Sequence, residues 1–109
     1  MAYVPRRGDA VWIDFDPQAG HEQAGRRPAI VLSPAEYNRR VGLAIFCPIT
    51  TRVKGYPFEV SIPDGLPISG VVLADQARNF DWRVRNAKLI AQLPAAVVDQ
   101  VSAKLRVLI

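Results

Sequence analysis

Residues 9–15 alternate strictly, with Val11, Ile13 and Phe15 on one face and Ala10, Trp12 and Asp14 on the other, the period of a half-buried strand. Asp16-Pro17 closes it. Residues 28–33 are almost continuously apolar and predict a more central strand. Ser33-Pro34-Ala35-Glu36 then supplies an N-cap, a proline at the first helical position and a glutamate three residues past the cap, predicting a short helix to about Arg39 that Gly42 ends. A third strand follows over 43–49, and Gly55-Tyr56-Pro57 turns the chain. Residues 58–62 alternate again, Pro63-Asp64-Gly65 forms a turn, and a strand beginning at Gly70 runs on into Asp75-Gln76-Ala77-Arg78. The stretch 81–86 is polar and basic, 88–93 makes the last strand, and Pro94 opens the one long helix. In that helix Val97, Val98, Val101, Leu105 and Leu108 recur at helical spacing, leaving Asp99, Gln100, Lys104 and Arg106 outside. About five or six short strands, Gly/Pro turns and a terminal helix predict a mainly β fold, a small and strongly bent antiparallel sheet or barrel.

This pattern leaves one stretch over. Gly20-His21-Glu22-Gln23-Ala24-Gly25-Arg26-Arg27-Pro28 separates the first two strands with two permissive glycines and a stiff proline exit. A two-residue turn would join the strands with less chain, whereas this loop carries a carboxylate, an amide, an imidazole and two guanidiniums. The residues alone leave two readings open, a polyanion site and a long solvated hairpin tip.

Charge tilts the balance. The net charge is +4, and the basic residues comprise 11 Arg but only 3 Lys. Guanidinium binds phosphate bidentately and stacks on bases, which an ammonium does less well. At 109 residues the chain is expected to be one domain spanning 1–109. No apolar run approaches the roughly 18 to 20 residues of a membrane span. The start of the chain lacks an apolar core and contains Pro5, Arg6, Arg7 and Asp9, so no signal peptide and a cytoplasmic location are expected. Cys47 is alone, within an apolar run, and reads as a buried, inert thiol. One histidine and one cysteine make no zinc constellation, and Asp14, Asp16 and Glu22 have no recognised ligand spacing, so neither metal nor other cofactor is expected.

Several blocks in order and spacing carry a resemblance. Gly8-Asp9-x-x-Trp12, Asp14-Phe15-Asp16-Pro17 and Gly20-x-Glu22-Gln23-Ala24-Gly25-x-Arg27-Pro28-Ala29 are followed by Leu32-Ser33-Pro34, Pro48-x-Thr50-Thr51 and Lys54-Gly55-Tyr56-Pro57-Phe58-Glu59-Val60. Gly70-x-x-Leu73-Ala74-Asp75-Gln76 and the ending Lys104-x-x-Val107-Leu108 complete the set. Together they resemble the MazF/PemK toxins of bacterial toxin–antitoxin systems, from about Gly8 to the end. The resemblance implies an SH3-like antiparallel barrel of the MazF/PemK/CcdB type with a C-terminal helix, assembled as a homodimer. It further implies metal-independent, sequence-specific cleavage of single-stranded RNA to a 2′,3′-cyclic phosphate and a 5′-hydroxyl. A cognate MazE-like antitoxin, with an acidic and otherwise disordered C-terminal segment, would cover the RNA groove.

By the same resemblance, Arg27 and Thr50 fall on the catalytic arginine and threonine, and Glu22 and Gln23 on substrate-loop positions. Phe15, Lys54 and Gln76 match positions lining the RNA groove, and Asp16 joins the RNA-binding set beside them. Arg26 and His21 stand where the family varies; Arg26 is counted with the RNA-binding residues as a tuner of sequence preference. Cleavage without a metal uses the neighbouring 2′-hydroxyl as nucleophile, so the protein must align it, accept its proton and neutralise the phosphorane. Arg27 suits the last task and Thr50 can donate to a non-bridging oxygen. Glu22 is the favoured base, with His21 or purely electrostatic catalysis as alternatives, and the portion 20–25 reads as a lid over RNA. Among the aromatics Phe15, Trp12, Tyr56, Phe80 and Trp82, most are expected in the core, with Phe15 edging the groove. Arg83, Arg85 and Lys88 read either as functional or as a solvated face. Two other functions on such a fold are a non-enzymatic toxin that poisons gyrase through its terminal helix, whose Trp-Gly-Ile ending is absent here, and an RNA-binding barrel without catalysis.

Overall fold

A computed structural model describes residues 2–15 and 25–109. Among them are seven strands and two helices: β1 (Asp9–Asp14), β2 (Arg26–Val31), α1 (Ala35–Val41), β3 (Leu43–Thr50), β4 (Glu59–Ser61), β5 (Val71–Leu73), β6 (Arg78–Asp81), β7 (Lys88–Gln92) and α2 (Ala95–Arg106). The strands run β4-β5-β3-β2-β1-β7, with β6 added to β3. Every pairing is antiparallel. This is the mainly β architecture with a C-terminal helix that the alternation predicts, a bent and barrel-like sheet that stays open.

Because side chains alternate along a strand, the sheet carries a core on each face. Ala10, Ile30, Cys47 and Val72 form one core and are covered by Val97, Val98 and Val101 of α2. Fully burying a valine stabilises by about 1.5–3 kcal/mol, so this valine stripe, rather than helix propensity, holds α2 in place. Val11, Ile13, Ala29, Phe46, Phe80 and Trp82 form the second core. Cys47 is fully buried, and burial pushes its thiol up to about 12, as an inert core cysteine requires. No helix among the described residues is long and apolar enough to cross a membrane.

Two local expectations are corrected. The single strand expected from Gly70 to Arg78 is two: a turn closed by the Gln76 N–H on the Leu73 carbonyl (3.1 Å) separates β5 from β6. Both then pair with the same edge of β3, β5 at Ile49 and Thr50, β6 from Leu43 to Phe46. Ser33 does not cap α1. Pro34 takes the cap position without a side-chain bond, and the Ser33 hydroxyl donates to Asn38 Oδ1 (2.5 Å) while accepting the Ile45 N–H (2.9 Å). Buried Asn38 also donates to the Pro5 and Ser33 carbonyls, so its need for partners outcompetes the helix N-terminus for that hydroxyl. Trp82 is buried, as expected for most of the aromatics, and its indole N–H donates to the Asn38 carbonyl (2.9 Å). Gly42 ends α1 as expected, in the left-handed conformation (φ 80°), its N–H returning to the Asn38 carbonyl.

Candidate active-site groove

The register of the sheet assembles the site. Ala29 of β2 faces Pro48 of β3, so two positions further along each strand Arg27 and Thr50 lie opposite one another on the same face. Arg27 in turn faces Ile13 of β1, a fully buried anchor for its backbone. The guanidinium is exposed and the threonine half-exposed.

Three clefts adjoin at this pair. One of about 340 Å³ is lined by Trp12, Arg27, Pro28, Thr50 and Ile68, and a second, about 220 Å³, by Phe15, Arg27, Pro48, Thr50, Gln76 and Arg78. The third, about 380 Å³, is lined by Thr50, Arg52, Lys54, Tyr56, Asp75 and Gln76. Thr50 borders all three and Arg27 two. The three clefts, sharing Thr50 and lined by cations and aromatics, make a grooved surface suited to an extended polyanion with unpaired bases.

Each groove residue has a local support. Thr50 Oγ1 accepts the Arg52 N–H (3.1 Å), which orients the hydroxyl and leaves its proton to be donated outward. Behind Thr50, Gly70 (φ 111°) packs so closely that a β-carbon there would lie 2.2 Å from the Thr50 carbonyl oxygen. Only glycine fits. The Glu59 carboxylate accepts the N–H groups of Lys54 and Gly55 (2.9 Å each), fixing the loop that bears Lys54. Tyr56 donates to Asp75 (2.7 Å), and that bond pushes its hydroxyl up to about 12. Phe15 is half-buried, its ring edge-to-face with Phe80 at 5.3 Å, so one edge is left for the groove.

Of the residues expected at a site, Arg27, Thr50, Phe15, Lys54 and Gln76 thus share this groove. Glu22, Gln23 and Asp16, with His21 and the proposed lid, lie outside the described residues. Arg26 does not line the groove clefts. Adjacent to Arg27, it leaves the strand on the opposite face and pairs with Asp14 across the ladder (3.0 Å), the one ion pair among the described residues. Burial alone would raise the Asp14 carboxyl, but hydrogen bonds from Asn86 and Arg26, with the charges of Arg26 and Arg85, hold it below the ordinary carboxylate value. Trp12, Gly70 and Arg78 also belong to the site. Arg78 carried a signal, three residues past Asp75 in the same polar block; Gly70's close approach to Thr50 is a tertiary contact with none.

A bent sheet with basic clefts meeting at a cross-strand Arg–Thr pair defines a polyanion-binding class of site rather than a plain hairpin surface. The comparisons with known proteins agree with that class. The model of the PemK-like, MazF-like toxins of type II toxin-antitoxin systems matches residues 6–109, and the chain belongs to this family. It is 48% identical over 107 residues to the endoribonuclease toxin MazF of Escherichia coli K12, covering 98% of this chain and 96% of that protein. Endoribonuclease PemK of Escherichia coli is 35% identical over 105 residues, covering 91% and 77%. Among solved structures, MazF of Deinococcus radiodurans superposes with a TM-score of 0.90 at 58% identity, covering 98% of this chain and 97% of its own. A MazE-MazF structure from the same organism gives 0.88 at 51% identity, covering 98% and 96%.

Proposed function

We propose that this protein is an endoribonuclease toxin, read as a single toxin domain over 1–109, that cuts single-stranded RNA lying in the groove. The observation that carries this reading is the Arg27–Thr50 pair at the meeting of three clefts, in a chain whose near relatives are named endoribonucleases. The RNA 2′-oxygen attacks the adjacent phosphorus and the 5′-oxygen of the next nucleotide leaves, giving a 2′,3′-cyclic phosphate and a 5′-hydroxyl. One proton leaves the 2′-hydroxyl and one is delivered to the 5′-oxygen; no water is consumed and no metal is required.

Arg27 offsets one of the two negative charges gathering on the phosphorane and Thr50 donates to a non-bridging oxygen. Such preorganised donors contribute on the order of 10²- to 10³-fold in rate each. Glu22, from the segment 16–24, takes the 2′-hydroxyl proton in this reading. Tyr56 offers a ring face and Phe15 a ring edge to unpaired bases, while Lys54, Gln76, Gln23 and Asp16 contact the strand. An acidic antitoxin segment of the MazE type is expected to occupy the same groove, since the cations that attract phosphate attract carboxylates. The working form is a homodimer in the cytoplasm.

The test is incubation of the purified protein with a long unstructured RNA in EDTA, followed by analysis of the fragment ends. Discrete fragments with 5′-hydroxyl and cyclic-phosphate termini support the reading. Intact RNA with co-purifying gyrase, or RNA bound yet uncut, refutes it.

A further inference from the structure

Both borders of the segment 16–24 are tied to one turn, that between β6 and β7. On the entry side, the Asp14 N–H donates to the Arg85 carbonyl (2.9 Å), and Arg85 Nη1 donates back to the carbonyls of Asp14 (3.1 Å) and Phe15 (2.7 Å). The Arg85 guanidinium also lies 3.9 Å from the centre of the Phe80 ring, against which Phe15 packs. On the exit side, Arg26 spans two acceptors, Asp14 Oδ1 (3.0 Å) and the Asn86 carbonyl (2.9 Å), while Asn86 Nδ2 closes the circuit on Asp14 Oδ2 (2.9 Å). The Phe15 N–H on the Gly25 carbonyl (2.9 Å) joins the two sides. Asn86 holds a left-handed backbone (φ 57°), which presents its carbonyl and amide to the same two partners.

This circuit surrounds the residues that matter most to the groove. Arg27 follows Arg26 directly, and Phe15 follows Asp14. We propose that Arg26 is a positioning residue, not an RNA ligand: with Asp14, Asn86 and Arg85 it clamps the borders of the 16–24 segment, fixing where Arg27 and Phe15 enter the groove. A guanidinium suits this post because it is a planar fork reaching a carboxylate and a carbonyl at once; a lysine ammonium on a flexible stem holds the charge without the two-point span. The inference rests on the catalytic reading of Arg27 for its kinetic consequence, but the clamp itself is a property of the fold.

The discriminating variant is Arg26→Lys, compared with Arg26→Ala and Asp14→Asn. Single-turnover RNA cleavage, the salt dependence of RNA binding and amide hydrogen exchange are measured on each. A clamp predicts that all three variants lose about tenfold in the cleavage step through misplacement of Arg27. It also predicts that the salt slope stays at the parent's value, and that exchange at the Asp14 and Phe15 amides speeds up at unchanged exchange in β3. The double variant of Arg26→Ala with Asp14→Asn falls no further than the worse single one, because both remove the same unit. The proposal is overturned if Arg26→Lys cleaves like the parent while Arg26→Ala lowers the salt slope by about 0.7, the loss of one phosphate contact on a single strand. If the parent neither binds nor cuts RNA, the catalytic reading has failed, and the exchange data alone decide the clamp: unchanged Asp14 and Phe15 amides in Arg26→Ala reject it.

Discussion

Gly70→Ala is the most informative single change outside the Arg27–Thr50 pair. The added methyl would sit 2.2 Å from the Thr50 carbonyl oxygen and 2.9 Å from its carbon. Real carbon–oxygen contacts of this kind stay at or above about 3.0 Å, so β3 and the 69–71 segment must part by roughly 0.8 Å at the position that carries Thr50. The φ of 111° adds strain for any L-residue, about 1–3 kcal/mol, and overpacking of the backbone contact adds a similar amount. The expected loss of folding stability is therefore about 2–6 kcal/mol. A separate kinetic loss is expected in the folded fraction, because a displacement near 1 Å at a reacting hydroxyl can cost about 10²-fold. Single-turnover cleavage at saturating RNA measures the second quantity, urea unfolding the first, and circular dichroism confirms that the fraction assayed is folded. A folded Gly70→Ala protein cutting within twofold of the parent would refute the claim that this close approach places Thr50.

Three further expectations follow from the same geometry. Thr50→Val keeps the shape and removes the donor, so cleavage should fall about 10²-fold while Thr50→Ser stays within a few-fold; equal rates for Val and the parent would remove Thr50 from the chemistry. Asp14 has a folded-state pKa below its unfolded value, so its contribution to stability is full above the unfolded pKa near 3.9 and is lost as pH falls through the folded one. Asp14→Asn should therefore flatten the acid limb of a stability–pH profile without changing its shape above about pH 5, and an unchanged acid limb would contradict the ion pair with Arg26. Cys47, buried and with its thiol raised to about 12, should resist a thiol reagent at pH 8 until the protein is unfolded; rapid native labelling would argue against the packing of β3.

How far the sequence reached follows from which interactions decide each feature. The 97–101 valines declare their face by period alone, because one side of α2 is buried and the other is not; in β1 the alternation sorts Val11 and Ile13 from Ala10, although a core lies on each side. Arg27 and Thr50 were legible through blocks of residues in order, although what makes them a site, the Ala29–Pro48 register, is a pairing between distant strands. The break at residues 74–77 was not legible, since Asp75-Gln76-Ala77 contains no glycine or proline and the turn is set by β5 and β6 competing for one edge of β3. Ser33 was misassigned because its partner, the side chain of Asn38, lies inside the helix it was expected to cap. Arg26 and Arg27 are chemically identical neighbours. Only the alternation of the strand and the acid opposite, Asp14, separate a clamp from a groove residue.

The central claim is that Arg27 stabilises the transition state of RNA cleavage in this groove. The single-turnover cleavage rate of Arg27→Ala at saturating RNA, in EDTA, tests it most directly. A fall of about 10²- to 10³-fold in that rate, with RNA affinity changed far less, is the predicted result. A variant that cuts within a few-fold of the parent, or one whose whole defect lies in RNA affinity, would contradict it.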